Sequence, residues 1–236
     1  MKLNINQGVS LIIPVYNEEK TLQSIIERCS NQNVIKQLVI VNDGSTDKTR
    51  VILDKIAEKS NKKVVTILHH GKNLGKGMAI KTGLRKVLGK YVMVQDADLE
   101  YYPEEIINLF NEAEKVRDGI VFGTRSHHKK KGYILAQLGN WYLNVLFNTL
   151  FKFNFTDSYT CYKLIPRKIW HELKLVSNGF EIDSELISKL GVKGYQILET
   201  PISYHPRKYS EGKKVKWVDV IKATVVAFKV RLNLKI

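Results

Sequence analysis

Apolar and polar positions alternate in blocks along the first half of the chain. Residues 9–14, Val-Ser-Leu-Ile-Ile-Pro, form a short apolar run, and Asn17-Glu18-Glu19 is followed by Leu22, Ile25 and Ile26 at spacings of three and four. The run reads as a buried strand and the spacing as the start of a helix. The pattern then repeats. Residues 38–41 predict a second strand ending in Asn42-Asp43-Gly44-Ser45-Thr46-Asp47, with Val51, Ile52, Lys55 and Ile56 on helical spacing beyond it. Residues 64–68 predict a third strand, 77–88 a third helix, and 91–95 a fourth strand running into Asp96-Ala97-Asp98. Strands that alternate with helices imply an α/β fold with a mainly parallel central sheet. Such a sheet binds ligands beyond the carboxyl ends of its strands, where each of these polar clusters falls.

The second half changes character. Residues 120–123 predict another strand, and Arg125 and Lys129-Lys130-Lys131 precede residues 132–151, which carry no charge. That stretch is long enough to span a bilayer. Yet Asn140, Asn144 and Asn148 recur every four residues with Gln137 near the same stripe, while Leu138, Trp141, Tyr142, Val145, Leu146 and Leu150 cover the remainder. Unpartnered carboxamides in hydrocarbon would cost on the order of several kcal/mol. An amphipathic helix lying in a membrane interface with its asparagine stripe hydrated is therefore expected, the plainer alternative being a helix packed on the sheet. Residues 213–236 combine Trp217, Val220, Ile221, Val225, Phe228 and Val230 with Lys214, Lys216, Lys222, Lys229, Arg231 and Lys235. They predict a second, basic amphipathic helix.

Composition narrows the class. With 236 residues, 44% apolar and 26% charged, the chain suits one folded domain over 1–236 and not a disordered one. Its net charge of +15 is uneven: residues 1–124 carry 18 basic and 15 acidic side chains, residues 125–236 carry 20 and 8. A polyanionic partner or an anionic surface is expected at the second half. Cys29 and Cys161 supply neither a disulfide framework nor a Cys-x-x-Cys zinc spacing, and they suit a reducing compartment. The first apolar run is short and contains Pro14, so no signal sequence is expected and the catalytic part is placed in the cytoplasm.

Asp96 and Asp98 stand two apart at a strand end, and the strand period of two would put both on one face. Carboxylates so placed can hold Mg2+ or Mn2+ against a diphosphate, with Glu100 as a further ligand. Asp-x-Asp alone is a weak signal. Its upstream neighbours are Pro14-Val15-Tyr16-Asn17-Glu18, Asp43-Gly44-Ser45-Thr46-Asp47 and Asn73-Leu74-Gly75-Lys76-Gly77, each at a predicted strand end. The Gly-Lys-Gly piece lacks the Walker spacing, and no G-x-G-x-x-G follows the first strand. As an ordered set these motifs resemble the inverting family 2 glycosyltransferases of GT-A fold.

The second half resembles more closely the polyprenyl-phosphate (dolichyl-phosphate) sugar synthases. Asp96-Ala97-Asp98-Leu99-Glu100 with Pro103-Glu104-Glu105 is similar to their metal motif, and Gly123-Thr124-Arg125 to their Gly-Ser-Arg. Thr156-Asp157, Gly179-Phe180 with Glu185, and Arg207 through Gly212-Lys213 fall where that family places its later motifs, so the resemblance covers roughly residues 9–217. Asn42 stands where Asp is usual, Glu100 where Gln is common and Cys161 where Gly is common.

The resemblance implies that Pro14, Tyr16, Glu18 and Asp43 line a nucleoside pocket and that Lys76 approaches the diphosphate. It implies Asp96, Asp98 and Glu100 as metal ligands, Arg125 as the grip on an acceptor phosphate, and Arg207 and Lys213 on a loop closing over the site. Residues 1–124 would then be the nucleotide-sugar and metal half, and 125–236 the acceptor and membrane-facing half. The expected activity is inverting transfer of one sugar from a UDP- or GDP-hexose to a membrane polyprenyl phosphate, by a protein peripheral on the cytoplasmic face. A phosphate monoester has a second pKa of about 6 and arrives as an anion, needing no strong base. A saccharide hydroxyl, the alternative acceptor, would need a carboxylate, for which Asp157, Asp183 and Glu185 are the candidates. A basic nucleic-acid-binding module is the rival from another class. No aromatic-interleaved groove supports it, and the carboxylate cluster would repel phosphate, so no nucleic-acid partner is expected. A membrane subunit or a homo-oligomer is left open.

Overall fold

The computed structural model describes residues 7–59, 65–125, 134–206 and 217–236. Arg207, Lys213 and the lysines at 129–131 lie outside the described residues. In the first half, β1 (Val9–Val15), β2 (Ile35–Asn42), β3 (Val65–His69) and β4 (Tyr91–Val94) alternate with α1 (Leu22–Ser30), α2 (Thr49–Lys59) and α3 (Lys76–Leu84). β1 and β2 are buried along nearly their whole length, as an unbroken apolar run requires of strands covered on both faces. On α1, Leu22, Ile25, Ile26 and Cys29 form the buried stripe. Each leucine or isoleucine of that stripe contributes about 1.5–3 kcal/mol when fully withdrawn from water.

Beyond β4 the chain adds α4 (Ile106–Ala113), β5 (Val121–Thr124), α5 (Ile134–Phe151), β6 (Lys163–Pro166), α6 (Arg167–Glu172), α7 (Ile182–Val192), β7 (Leu198–Pro201) and α8 (Trp217–Arg231). Among the described residues seven strands form one sheet in the order β3-β2-β1-β4-β6-β5-β7. β1 pairs in parallel with both β2 and β4, so strand addition reverses direction there and opens a crevice at the strand ends. The expected, mainly parallel sheet is present, with β6 running antiparallel between β4 and β5, and β7 parallel to β5. β6 and β7 had no clear signal. Each is four residues long and carries a charged residue, Lys163 or Glu199.

Three sequence expectations need correction. α3 ends at Leu84, short of residue 88. β4 ends at Val94, so Asp96 and Asp98 lie in the turn beyond it and the strand period does not orient them. The asparagine stripe of α5 is not hydrated: Asn140, Asn144 and Asn148 all bond to residues 155–158. That segment lies outside the strands, and carboxamides supply both donor and acceptor to its main chain. Leu143 and Phe147 of α5 enter the core, while Leu138, Trp141, Tyr142 and Val145 face outward. α8 packs on α7 and α5 through Ala223 and Ala227, leaving Trp217, Val218, Ile221, Val225 and Phe228 exposed. Among the described residues no helix is long and apolar enough to cross a membrane.

Candidate active site

The loops after β1 and β2 are laced together. The Asn17 amide donates to Ser45 Oγ (3.0 Å), and Asn17 Oδ1 accepts from the Thr46 amide (2.8 Å). The Glu18 amide donates to Thr49 Oγ1 (3.0 Å), the Glu19 amide to Asp47 Oδ2 (3.2 Å), and the Lys48 amide to Glu19 Oε2 (2.9 Å). Asn17 has φ 53°, a conformation Asn tolerates better than most side chains. Tyr16 and Glu18 are thus carried on a braced loop beside Pro14, and the Glu18 carboxylate accepts from Thr21 Oγ1 (3.1 Å).

Asp43 is buried and turned toward the loop after β3. It accepts from the amides of Leu74 (2.9 Å) and Gly75 (2.8 Å) and contacts His70 Nδ1 (2.7 Å), whose other ring nitrogen meets Thr82 Oγ1 (3.0 Å). Glycine is required here. Gly44 has φ 69° and Gly75 φ 98°, and a Cβ on Gly75 would sit 2.4 Å from the Asn178 carbonyl oxygen. This close approach sets the start of α3 and with it Lys76.

Lys76 Nζ lies 2.7 Å from Asp96 Oδ1. Burial opposes both charges, but each partner outweighs it: the lysine is held well above its ordinary range and the aspartate below its own. Asp98 Oδ1 accepts from the Glu100 amide (3.2 Å) across Leu99, whose φ of 61° is uncommon for a residue with a side chain. Glu100 accepts from Tyr204 Oη (2.9 Å). Among the described residues no three carboxylate, histidine or cysteine side chains form a ready-made metal cage. Mg2+ and Mn2+ binding needs only one or two carboxylates when substrate phosphates and waters complete the shell. The hard oxygens of Asp96 and Asp98 fit that kind of site.

Arg125 follows β5 and is committed to Asp157. Its Nε donates to Asp157 Oδ2 (2.6 Å) and Nη2 to Asp157 Oδ1 (2.7 Å), while its own amide also donates to Oδ2 (3.0 Å). Nη1 reaches Tyr101 Oη (3.2 Å), and the guanidinium lies 4.7 Å from the centre of the Tyr204 ring. Burial pushes the Asp157 carboxyl up, but the guanidinium prevails and holds it below the usual carboxylate range. The two other carboxylates considered as bases also have cationic partners. Glu185, fully buried, accepts from the amides of Val176 (2.9 Å) and Ser177 (2.8 Å) and pairs with Lys189 (2.6 Å). Asp183 pairs with Lys163 (2.8 Å). Lys76, Cys161, Lys163 and Asp183 border a cavity of about 10 Å³, room for one water. Burial pushes the Cys161 thiol well up, so it is a packing group and not a nucleophile.

The structure therefore joins Asp43 to the loop leading to Lys76, Lys76 to Asp96, and Arg125 to Asp157. Two aromatic residues missed by sequence reasoning connect the halves. Tyr101 stacks on Tyr162 (4.9 Å) and touches Arg125, and Tyr204 touches both Glu100 and Arg125. Their only signal was position, Tyr101 directly after the carboxylate series and Tyr204 just ahead of Arg207.

Comparison with known proteins agrees with this fold. The glucosyl-3-phosphoglycerate synthase of Mycobacterium tuberculosis, solved with Mg2+ and uridine diphosphate, superposes with a TM-score of 0.70 at 16% identity, covering 98% of this chain and 81% of that one. At that identity the likeness establishes the GT-A fold alone. The undecaprenyl-phosphate 4-deoxy-4-formamido-L-arabinose transferase of Photorhabdus laumondii is 38% identical over 126 residues, 52% of this chain and 38% of its own length. The low-salt glycan biosynthesis hexosyltransferase Agl6 of Haloferax volcanii is 29% identical over 216 residues, 87% of this chain and 49% of its own length. The matches thus span half or less of these two relatives. Residues 10–173, more than half of the chain, match the model of glycosyl transferase family 2, and the chain belongs to that family.

Proposed function

We propose that the protein transfers one sugar, with inversion, from a nucleotide-diphosphate sugar to a membrane polyprenyl phosphate. The observation that carries the reading is the state of the three candidate bases. Asp157, Asp183 and Glu185 each face a cation, and Asp157 and Glu185 are held below the usual carboxylate range. Carboxylates so held are weak proton acceptors, unsuited to a hydroxyl nucleophile. A phosphate nucleophile is already anionic and needs only placement. The undecaprenyl-phosphate relative supports the same acceptor class.

In this reading Pro14, Tyr16, Glu18 and Asp43 border the nucleoside, and Lys76 faces the diphosphate beside Asp96. Asp96 and Asp98, with Glu100 beyond them, would hold Mg2+ or Mn2+, which when bound neutralises charge on the leaving diphosphate. Arg125 meets the acceptor phosphate, and Arg207 and Lys213 belong to a loop that closes over the site. The outward faces of α5 and α8 support a peripheral seat on the cytoplasmic face of an anionic membrane. Leu138, Trp141, Tyr142, Trp217, Ile221 and Val225 border a groove of about 460 Å³, and Lys222, Arg231 and Lys235 are exposed on and after α8. An outward apolar groove beside a helix that also carries exposed cations suits an anionic lipid surface. The test is transfer of label from UDP- and GDP-hexoses, with Mg2+ or Mn2+, to a short prenyl phosphate against a free oligosaccharide. Labelled prenyl phosphate is expected; label appearing only in the oligosaccharide would overturn the reading.

A further inference from the structure

We propose that Asn140, Asn144 and Asn148 of α5 are positioning residues for Arg125, acting through the 155–158 segment. Each rung of this ladder makes named bonds. Asn148 Nδ2 donates to the Phe155 carbonyl (3.0 Å) and its Oδ1 accepts from the Phe155 amide (2.8 Å), a two-point clamp. Asn144 Nδ2 donates to the Thr156 carbonyl (2.8 Å), and its Oδ1 accepts from the amide (2.7 Å) and hydroxyl (2.6 Å) of Ser158. Asn140 Nδ2 donates to Asp157 Oδ1 (3.0 Å), the oxygen that also receives Arg125 Nη2. A period of four on the helix thus meets consecutive residues of the segment running the opposite way.

The segment is gripped from its other side as well. Glu199 on β7 accepts from the amides of Thr156 (2.9 Å) and Asp157 (3.0 Å), and Thr156 Oγ1 lies 2.7 Å from Thr124 Oγ1, next to Arg125. Asp157 is the point where these restraints converge, and it fixes both the backbone amide and the guanidinium of Arg125. A side chain anchored at two carboxylate oxygens moves with its anchor. The ladder also ties Arg125 to a helix whose neighbouring, outward face carries Leu138, Trp141 and Val145, all exposed. The arginine and the outward apolar face are therefore parts of one braced unit, with a set distance between them.

Asn144→Ala removes the middle rung and tests this. The first readout does not depend on what the acceptor is: water exchange of the Arg125 Nε–H, followed by nitrogen-15 NMR and assigned with Arg125→Lys. In the full chain, Asn144→Ala should speed that exchange by about tenfold or more, because Thr156 and Ser158, the residues on either side of the anchoring Asp157, lose their bonds to α5. Leu143→Val, on the adjacent core-facing position, should lower the Tm without speeding it. The second readout rests on the lipid-phosphate reading above. KM for a short prenyl phosphate should rise about tenfold with donor KM within about twofold. Unchanged Nε–H exchange in Asn144→Ala, or an equal acceleration in Leu143→Val, would overturn the proposal. Should Asn144→Ala fail to fold, Asn148→Ala, which frees only Phe155, is read by the same two criteria. A wild type inactive on prenyl phosphate would count against the acceptor reading alone, and the exchange measurement would then decide the ladder.

Discussion

The two sides of the site hold their charged groups by different means. On the side built from β1 to β4, carboxylates grip the main chain: Asp43 receives the Leu74 and Gly75 amides, and Asp47 receives the Glu19 and Thr49 amides. On the side built from β5 to β7, the arginine is held by side chains: Arg125 locks to Asp157, Asn140 joins the same carboxylate, and Tyr204, with Tyr101 from the segment after β4, closes on the guanidinium. A carboxylate that caps a loop can be neutralised at moderate cost. A buried ion pair that loses one member leaves an uncompensated charge. Away from the Lys76–Asp96 pair, the first half should therefore lose chemistry before it loses stability, and the second half should lose both together.

The largest expected effect is on turnover. Asp98→Asn should lower kcat on the order of 10²- to 10³-fold, the scale of losing one well-placed electrostatic group, with little change in Tm. Asp96→Asn should match it in kcat but also lower the Tm, because it strips the partner from Lys76. Steady-state assays beside thermal melts separate the two, and equal Tm losses would erase the contrast.

Next comes Arg125→Ala. It should destabilise the fold by about 3 kcal/mol, since Asp157 would remain buried without its guanidinium. Pairing it with Asp157→Leu should restore part of that loss, as a double-mutant cycle from urea denaturation would record. A double variant less stable than Arg125→Ala would assign the loss to packing and not to charge.

A smaller effect is expected at the outward helices. Trp141→Asp with Ile221→Asp should cut flotation with anionic vesicles about tenfold and leave the Tm unchanged, since both side chains are exposed. Leu146 is unsuited to this test because it packs against the core. Added salt should weaken the wild-type association, each cation near the surface being worth roughly 1 kcal/mol. Flotation insensitive to both changes would remove the membrane from the second half's role.

The smallest effect concerns acid. Asp157 titrates lower folded than unfolded, so its contribution is whole above the unfolded value of about 4 and is lost as pH falls through the folded one. Urea midpoints of the wild type should fall over that window, and Asp157→Asn should flatten the slope by this residue's share. An identical slope in the variant would mean that the pair does not titrate with folding.

How legible these features were in the sequence follows from the same contrast. Residues 9–14 and 38–41 announced β1 and β2 because a strand buried on both faces is an unbroken apolar run, and the clusters after them marked the crevice. Asp96 and Asp98 were found as a motif, but their orientation was misjudged because the strand stops at Val94. The period of four in Asn140, Asn144 and Asn148 was visible and its direction was not. A polar stripe on an apolar helix reveals that one face differs, while only the neighbouring backbone decides whether that face meets water or protein.

From the sequence alone came what local periodicity and ordered motifs encode: the α/β alternation, the family, and the strand ends at which the motifs lie. Tertiary structure decided the partners. Arg125 meets Asp157 across 32 positions, Tyr204 meets Glu100 across 104, and Asp43 turns to a loop 31 positions away. Local spacing has no information about such pairs. They form where the sheet order brings distant strand ends together, and there burial makes an unpaired charge or amide too costly to leave without a partner.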